Sequence, residues 1–335
     1  MAVRQKLAIS LGLAASGLFL WLALRDADFA TIGTTIATAN PAMILPFLCS
    51  LFVFYWLKSS RWTLILSPAA KLRTAELFPV VMIGYAGTAI LPMQLGELVR
   101  AYIAARRHAL PISLVLTSIG VERVFDLLTI LALLAAVLAT GQAMPDALTK
   151  AGYAIAAVTI FALAAAAFFV FRQAQAFRLA NSILRPLPDR IRNAVMSQVE
   201  VATRGLHSLA RPRLVARIAW NSLLQWGLMG LCIWLSLNAV AVQVPVSAAA
   251  LVLVATIIGI SLPTGPGYIG NIQLAFVIAL QPFGIPAAQA IAASVFYHAL
   301  AYISVLLAGA YCARRLGLGT AEIRKSAQQS TLDAE

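Results

Sequence analysis

The sequence contains little charge for its length. Asp, Glu, Lys and Arg make up 11% of its 335 residues, whereas a soluble domain typically contains about 25% of these residues. Apolar residues make up 61% of the chain, and apolar windows of about 17–25 residues, long enough to cross a bilayer, recur from end to end. The composition therefore excludes an ordinary soluble domain and predicts a polytopic membrane protein.

The residues typical of metal and thiol chemistry are also scarce. Cys49, Cys232 and Cys312 are single cysteines in apolar runs without CxxC spacing, so we interpret them as buried thiols. Of three histidines, only His298 lies in an apolar segment. The sequence contains neither the GxxxxGK[ST] pattern of a phosphate-binding loop nor the nucleophile elbow of a serine hydrolase. We expect no cofactor, no metal and no catalytic residues.

Acidic residues are scarcer than basic ones, 12 against 25, which makes the formal net charge +13. A basic surplus occurs in nucleic-acid-binding proteins, but the cytoplasmic loops of membrane proteins are also rich in Lys and Arg and attract anionic lipids. We favour the second interpretation and expect no nucleic-acid partner. The most basic stretch, residues 172–217, is either a solvated cytoplasmic loop containing helices or an amphipathic element on anionic lipid.

The apolar segments predict an all-α, polytopic transmembrane helical bundle in residues 1–315, followed by a polar, disordered cytoplasmic tail, 316–335. We interpret the N-terminal apolar run as a retained first span and not as a signal peptide, because a small-x-small cleavage site is missing. The second span is predicted to end at residue 57 and to be followed by a cytoplasmic cluster of Lys58, Arg61, Lys71 and Arg73. The six predicted spans are 7–24, 41–57, 111–140, 151–171, 218–240 and 286–313.

Two further apolar segments, 76–107 and 246–280, are interrupted by Gly and Pro. If 76–107 crossed the membrane, the basic stretch 172–217 would lie outside, against the positive-inside rule. We therefore predict two re-entrant helical hairpins that enter from opposite faces, as in a transporter built from an inverted repeat. Both termini of this multi-pass inner-membrane protein would be cytoplasmic. The residues predicted to shape the two breaks are Pro92, Gly96, Pro263, Gly265, Pro266 and Gly267.

Ionisable residues are concentrated in one 30-residue stretch of this charge-poor chain. It contains Glu97, Arg100, Glu122, Arg123 and Asp126, and spacings of three and four place Glu97 with Arg100, and Asp126 with its two neighbours, on shared helical faces. A charge at the bilayer centre costs about 2.5–3.5 kcal/mol on insertion scales, so such residues usually face a protein interior or a water-filled cavity. The stretch predicts a polar site inside the membrane protein.

Each part of this polar site allows a structural and a functional interpretation. Arg100 pairs with Glu97, or its planar guanidinium binds a phosphate. The residues of VERVFD form an intramembrane network, or their two carboxylates hold a proton or a cation. After the second break, Tyr268 and Asn271 are polar groups available at depth. His298 is either a hydrogen bonder between helices or a member of the site.

Three stretches in this order, LPMQLGELVRA, VERVFDLLTI and LPTGPGYIG, resemble the flippase-like integral membrane family that includes the transmembrane domain of lysylphosphatidylglycerol synthases. The resemblance extends over the predicted spans and implies lipid translocation, including that of aminoacylated phospholipids. The chain resembles the flippase half of those synthases, so we expect it not to aminoacylate a lipid and not to be an enzyme.

We therefore predict a lipid translocase whose headgroup cavity lies between the two hairpins, with Arg100 and Arg123 on a phosphate and the carboxylates orienting them. Arg100→Ala is expected to abolish transport and to leave the protein folded. Two alternatives stay open: a membrane-embedded enzyme acting on lipid-linked substrates, and a non-catalytic partner of a lipid- or glycolipid-synthesising enzyme. Expected partners are lipids with anionic, aminoacylated or glycosylated headgroups, with a synthesising enzyme and a second copy of the chain as further candidates. The predicted binding residues are Glu97, Arg100, Glu122, Arg123, Asp126, Tyr268, Asn271 and His298.

Overall fold

The computed structural model describes residues 14–25, 27–91, 94–139, 145–172, 211–261 and 265–318, together with isolated positions between 175 and 196. These residues form helices and connections, without a strand among them. Short 3₁₀ helices occur at Pro41–Met43, Pro266–Tyr268 and Gln281–Phe283. The α-helices in chain order are α1 (Ala14–Leu24), α2 (Phe29–Ala37), α3 (Ile44–Leu66), α4 (Thr74–Ile90), α5 (Gly96–Arg107), α6 (Ile112–Ala139), α7 (Asp146–Phe171), α8 (Pro212–Ala239), α9 (Val246–Ser261), α10 (Asn271–Leu280) and α11 (Ala287–Arg315).

Several helices have the length and composition of membrane spans. Among the described residues, α3 with its preceding 3₁₀ turn, α8 and α11 are long and apolar enough to cross a bilayer. Helices α6 and α7 contain 28 and 26 residues, and a rise of about 1.5 Å per residue makes both longer than a hydrocarbon core of about 30 Å. The predicted fold class, a polytopic helical membrane protein, is confirmed. The sidedness of the spans stays a prediction.

The predicted end of the second span at residue 57 is wrong. Helix α3 continues to Leu66, and Lys58 and Arg61, which the sequence placed in a cytoplasmic cluster, are buried inside the bundle. The helix continues because Trp62 and Ile65 extend its apolar face beyond the two cations. Both cations find carboxylate partners on α6, which satisfies charges that could not otherwise be buried.

The first interrupted segment is a helix pair that folds back on itself. Helix α4 ends at Ile90 and α5 begins at Gly96, and the two pack closely because glycines line their contact. A Cβ atom on Gly96 would lie 2.1 Å from the carbonyl oxygen of Gly84 and 2.2 Å from the amide nitrogen of Thr88. Glycine is therefore required where the two backbones meet. Gly96, which the sequence predicted to shape the break, is the first residue of α5. The predicted break residue Pro92 lies outside the described residues.

The second interrupted segment consists of α9, a 3₁₀ turn and α10. The turn begins at Pro266, and Gly267 has a φ of +72° that favours glycine. The amide nitrogen of Gly265 donates to Ser16 Oγ of α1 at 2.9 Å, and Asn271 Nδ2 donates to the carbonyl oxygen of Gly259 at 2.7 Å. The break occurs where the sequence predicted it, although Pro263 itself lies outside the described residues. Entry of the two pairs from opposite faces stays a prediction.

The two breaks contact each other in the interior. Gln94 Nε2, just after the first break, donates to the carbonyl oxygen of Ile260 at the end of α9, at 3.1 Å. Tyr302 of α11 donates its hydroxyl to the carbonyl oxygen of Ala89 at 3.1 Å. Its ring also packs on Gly267, where a Cβ would lie 2.8 Å from Tyr302 Cε2. Helix α11 thus connects both breaks.

Two predicted segments fall largely outside the described residues. Most positions of the basic stretch 172–217 are not described. The predicted end of this stretch at residue 217 is wrong, because α8 begins at Pro212. Of the predicted tail, only residues 316–318 are described.

Candidate functional site

Three arginines and three carboxylates from α3, α5 and α6 alternate in a closed circuit of contacts, which we call the ionic ring. Each arginine contacts two carboxylates, and each carboxylate contacts two arginines. The contacts are Arg61 Nη1–Asp126 Oδ1 at 2.7 Å, Arg61 Nη2–Glu122 Oε1 at 3.5 Å, Arg100 Nη2–Glu122 Oε2 at 2.7 Å, Arg100 Nη2–Glu97 Oε2 at 2.6 Å, Arg123 Nη2–Glu97 Oε1, and Arg123 Nη1–Asp126 Oδ2 at 3.6 Å.

One side of the ionic ring is enclosed by protein. Arg61, Arg100 and Glu122 are almost completely buried, and the guanidinium of Arg100 lies over the ring of Trp62, 4.6 Å from its centroid. Arg61 Nη1 also donates to Ser222 Oγ of α8 at 2.9 Å. Ionisable groups at such depth require partners, and here they pair with one another and with polar groups. This side of the ring holds α3, α5, α6 and α8 together.

The other side of the ionic ring faces a cavity of about 380 Å³, which we call the central cavity. Glu97, Arg123 and Asp126 line it, as does Lys58, and the Arg123 side chain retains 46% of its accessibility. The cavity lies between the two interrupted helix pairs, and its volume falls within the range of about 300–1,000 Å³ that is typical of small-ligand sites.

Lys58 is attached to the ionic ring without being part of it. Its Nζ lies 3.4 Å from Asp126 Oδ2, and 5.7 and 5.2 Å from the ring centroids of Phe54 and Trp226. Trp226 Nε1 in turn donates to Asp126 Oδ1 at 3.1 Å. Ring and lysine together contain four cations and three carboxylates, so the cluster has a formal surplus of one positive charge.

The remaining wall of the central cavity is uncharged and consists of aromatic, aliphatic and polar side chains. Rings from α3, α4, α8 and α11 surround the space, with tyrosine hydroxyls, amides and one histidine among them. His298 Nδ1 lies 3.3 Å from Gln273 Nε2, and its ring packs edge-on against Tyr302. The aromatic and polar lining residues of this wall are Phe54, Tyr55, Tyr85, Thr88, Gln94, Trp226, Thr256, Tyr268, Tyr297, His298 and Tyr302.

The structure brings most of the predicted binding residues to the central cavity. Glu97, Arg123, Asp126, Tyr268 and His298 line it. The other three predicted binding residues do not. Arg100 and Glu122 form the enclosed side of the ionic ring, while Asn271 is buried and ties α10 to α9. Arg100 therefore occupies a structural position, in contrast to its predicted place on a headgroup phosphate.

Two charged members of the cluster were missed by the sequence analysis. Lys58 and Arg61 were assigned to a loop, because the positive-inside rule places cations after a span. The stretch YWLKSSRWTLIL nevertheless contains a signal: apolar residues resume directly after Arg61, and a spacing of three places both cations on one helical face. Ser222 and Trp226 lacked such a signal, because a serine or tryptophan in an apolar span is ordinary.

Fold and site define a class, a polytopic helical membrane protein with a charged internal cavity between interrupted helices. The family model of the lysylphosphatidylglycerol synthase transmembrane region matches residues 9–309. The chain belongs to this family, which confirms the resemblance found in its motifs.

Comparison with curated proteins finds similarity to the glycosyltransferase AglD of Haloferax volcanii, with 26% identity over 343 aligned residues. The match covers 92% of this chain but 54% of AglD, so the chain spans about half the length of that relative. No solved structure matches the chain.

Proposed function

We propose that the protein is a lipid translocase that binds a polar, anionic headgroup in the central cavity and moves the lipid across the membrane. The observation that supports this most directly is the arrangement of the cavity. The cluster of charges along one side of it, the ionic ring with Lys58, has a formal surplus of one positive charge. The rest of its lining is aromatic, aliphatic and neutral polar, and it lies where two interrupted helix pairs meet. Transporters commonly bind substrate at such helix breaks.

The size and chemistry of the central cavity suit a headgroup better than a whole lipid. A volume of about 380 Å³ accommodates a small ligand, while acyl chains remain in the bilayer. Arg123 is the partly exposed arginine of the ionic ring and adds positive charge to the wall of the cavity. We place the protein in the inner membrane with both termini cytoplasmic, following the distribution of Lys and Arg.

The name of the relative favours a second candidate function. AglD is named a glycosyltransferase, and the aligned region is about half of it. The second candidate is therefore a non-catalytic membrane protein that positions a lipid-linked substrate for a separate synthesising enzyme. Under both candidates the chain itself is not an enzyme, and the two differ in whether it moves lipid when alone in a bilayer.

A flip assay in proteoliposomes separates these two functions. The purified protein is reconstituted with fluorescent anionic, zwitterionic, aminoacylated and glycosylated lipids, and a membrane-impermeant quencher reports which lipids change leaflet. We expect headgroup-selective movement by the wild type and its loss in Arg123→Gln, which removes a cavity-lining charge and leaves the enclosed side of the ionic ring intact.

Arg73→Gln is the matched control, because Arg73 is an exposed arginine paired with Glu76 at the start of α4, outside the central cavity. It should move lipid like the wild type. Absence of movement for every lipid would contradict the translocase and favour the second candidate, which predicts stable co-purification with a lipid-modifying enzyme.

A further inference from the structure

We propose that Lys58 is the residue that binds the charged group of the ligand, and that this group is a phosphodiester with a single negative charge. This inference rests on the proposed function and specifies its substrate class. The evidence is the arrangement of charges in the cluster beside the central cavity. The three arginines of the ionic ring pair with its three carboxylates, and Lys58 is the additional cation.

The ionic ring is balanced without Lys58. Three arginines alternate with three carboxylates, and each of these six side chains has a partner on either side. A ligand anion that took an arginine away from the ring would leave a carboxylate with one partner fewer. Lys58 can turn to a ligand without unbalancing any of these contacts.

Asp126, the carboxylate nearest to Lys58, has further partners, most of them at its other oxygen. Arg61 Nη1 lies 2.7 Å from its Oδ1, Trp226 Nε1 donates to the same oxygen at 3.1 Å, and Arg123 Nη1 lies 3.6 Å from Oδ2. The 3.4 Å contact of Lys58 is long for a charge-assisted hydrogen bond, which is typically about 2.7–2.9 Å. Lys58 therefore uses one of its N–H groups for a long hydrogen bond to Oδ2, and its other N–H groups are left for a ligand.

Lys58 is buried, and a buried charge whose hydrogen-bonding capacity is only partly used is costly. Only 3% of the residue is exposed, yet it lines the central cavity. An ammonium has three donor directions, and its remaining surroundings include the faces of Phe54 and Trp226. Aromatic faces attract a cation but do not accept a full charge-assisted hydrogen bond. An anionic ligand group would supply the missing acceptor.

A second polar group in the cavity wall also lacks a partner. The hydroxyl of Thr256 on α9 lines the central cavity, is 5% exposed, and has no hydrogen-bond partner among the described residues. A buried hydroxyl of this kind is usually satisfied. Lys58 and Thr256 therefore offer a ligand one cationic and one neutral contact.

The formal charge of the cluster indicates which kind of phosphate group in a ligand would neutralise it. One monoanion neutralises the cluster of ring and lysine, whereas a phosphomonoester with about −1.5 to −2 charges at neutral pH would overshoot it. A headgroup with an additional ammonium would bring a second positive charge beside Lys58 and Arg123. A phosphodiester with an uncharged remainder, whose hydroxyls reach groups such as Thr256, fits the site.

Binding measurements test the role of Lys58 directly. The full-length protein is placed in phosphatidylcholine nanodiscs and titrated with fluorescent phosphatidylglycerol, which has one negative charge. Lys58→Gln should weaken this binding at least tenfold, and Lys58→Arg should weaken it less. The matched control is Lys71→Gln, at an exposed lysine in the connection after α3, and it should bind like the wild type. Unchanged affinity in Lys58→Gln would overturn the proposal.

Two further measurements distinguish a ligand-binding role of Lys58 from a structural one. Glycerophosphoglycerol, the water-soluble headgroup, should compete with the labelled lipid, and equally strong competition by inorganic phosphate would overturn the assignment to a phosphodiester. Without ligand, Lys58→Gln should lower the melting temperature less than Arg61→Gln does, because Arg61 contacts two carboxylates of the ionic ring and Lys58 contacts one at a longer distance. A melting temperature of Lys58→Gln as low as that of Arg61→Gln would show a structural lysine and overturn the proposal.

The assignment of Lys58 and the proposed translocase function can fail independently of each other. If phosphatidylglycerol binding depends on Lys58 but no lipid changes leaflet in proteoliposomes, the binding site stands and translocation fails. If lipid moves and Lys58→Gln binds and moves it normally, translocation stands and the assignment of Lys58 fails.

Discussion

Arg100 lies on the enclosed side of the ionic ring, between Glu97, Glu122 and the face of Trp62. Because its removal deprives the buried Glu122 of its 2.7 Å partner, Arg100→Gln should destabilise the fold by about 3–5 kcal/mol, as expected for breaking a buried ion pair. Thermal unfolding in detergent measures this effect.

The result would differ from the sequence-based prediction that an Arg100 variant stays folded and fails only in transport. Arg73→Gln, which removes an arginine from an exposed pair with Glu76, should leave the melting temperature unchanged, because exposed ion pairs contribute little. Equal melting temperatures for both variants and the wild type would contradict a structural role of Arg100.

Glu97 and Arg123 form the side of the ionic ring that opens to the central cavity. Glu97→Gln leaves Arg100 and Arg123 without the carboxylate between them, so it should destabilise more than Arg123→Gln, after which Glu97 still pairs with Arg100. The double variant removes one charge of each sign and restores the balance. A double-mutant cycle on the free energy of unfolding should therefore give a coupling energy of about 0.5–3 kcal/mol between Glu97 and Arg123. Additive effects of the two substitutions would contradict the contacts of the ionic ring.

For single residues, the sequence predicts which charges lie inside the protein more reliably than it predicts the partners of those charges. Glu97, Arg123 and Asp126 were found because charges are rare in an apolar chain and costly at depth. Lys58 and Arg61 were missed, because a cation after an apolar run is equally typical of a loop. The choice between loop and interior depends on carboxylates of α6, more than 60 residues away in the sequence, and local spacing does not contain that information.

Among the elements, the pair α4–α5 depends most clearly on a single position. Gly96→Ala would place a Cβ 2.1 Å from the carbonyl oxygen of Gly84, so the helices must separate, at a cost of about 1–3 kcal/mol or more. Unfolding of the purified variant, together with its lipid movement, measures the effect.

Gly33→Ala in α2 is the matched control for the same chemical change. Gly33 is an exposed helical glycine with open space around it, so alanine there should be neutral or stabilising by about 0.5–1 kcal/mol. A Gly96→Ala protein as stable as the wild type would show that the pair can relax, and would contradict the need for glycine.

The elements also show why the helix breaks were predictable and the length of α3 was not. Gly and Pro interrupt a helix through local backbone chemistry, so the breaks between α4 and α5 and between α9 and α10 could be read from composition. The continuation of α3 to Leu66 depends on tertiary ion pairs that make Lys58 and Arg61 compatible with burial. A rule that considers each apolar segment without its tertiary partners therefore ends the second span too early.

For the whole molecule, the open prediction is that the two helix pairs enter the membrane from opposite faces. Lys71, in the connection before α4, and Gln243, in the connection before α9, are both exposed. In a protein with Cys49 replaced by Ser, Lys71→Cys should react with an impermeant thiol reagent from the cytoplasmic side, and Gln243→Cys from the other side.

The native cysteines provide the background for this labelling experiment. The prediction of three buried thiols is wrong for Cys49, which is exposed, and right for Cys232 and Cys312, which are buried. The two buried cysteines should react slowly in the Cys49→Ser protein without a new cysteine. Labelling of both introduced cysteines from one compartment would contradict the inverted arrangement, while leaving the internal ring and cavity as described.

The balance of the ionic ring also determines how the protein responds to membrane voltage. A potential acts on net charge, with about 2.3 kcal/mol per elementary charge per 100 mV, and the three arginines and three carboxylates of the ring sum to zero. Lys58 gives the empty site one uncompensated charge, and a bound monoanion cancels it. Voltage should therefore bias the empty protein, whereas under the proposed translocase function the step with bound lipid should be electrically silent.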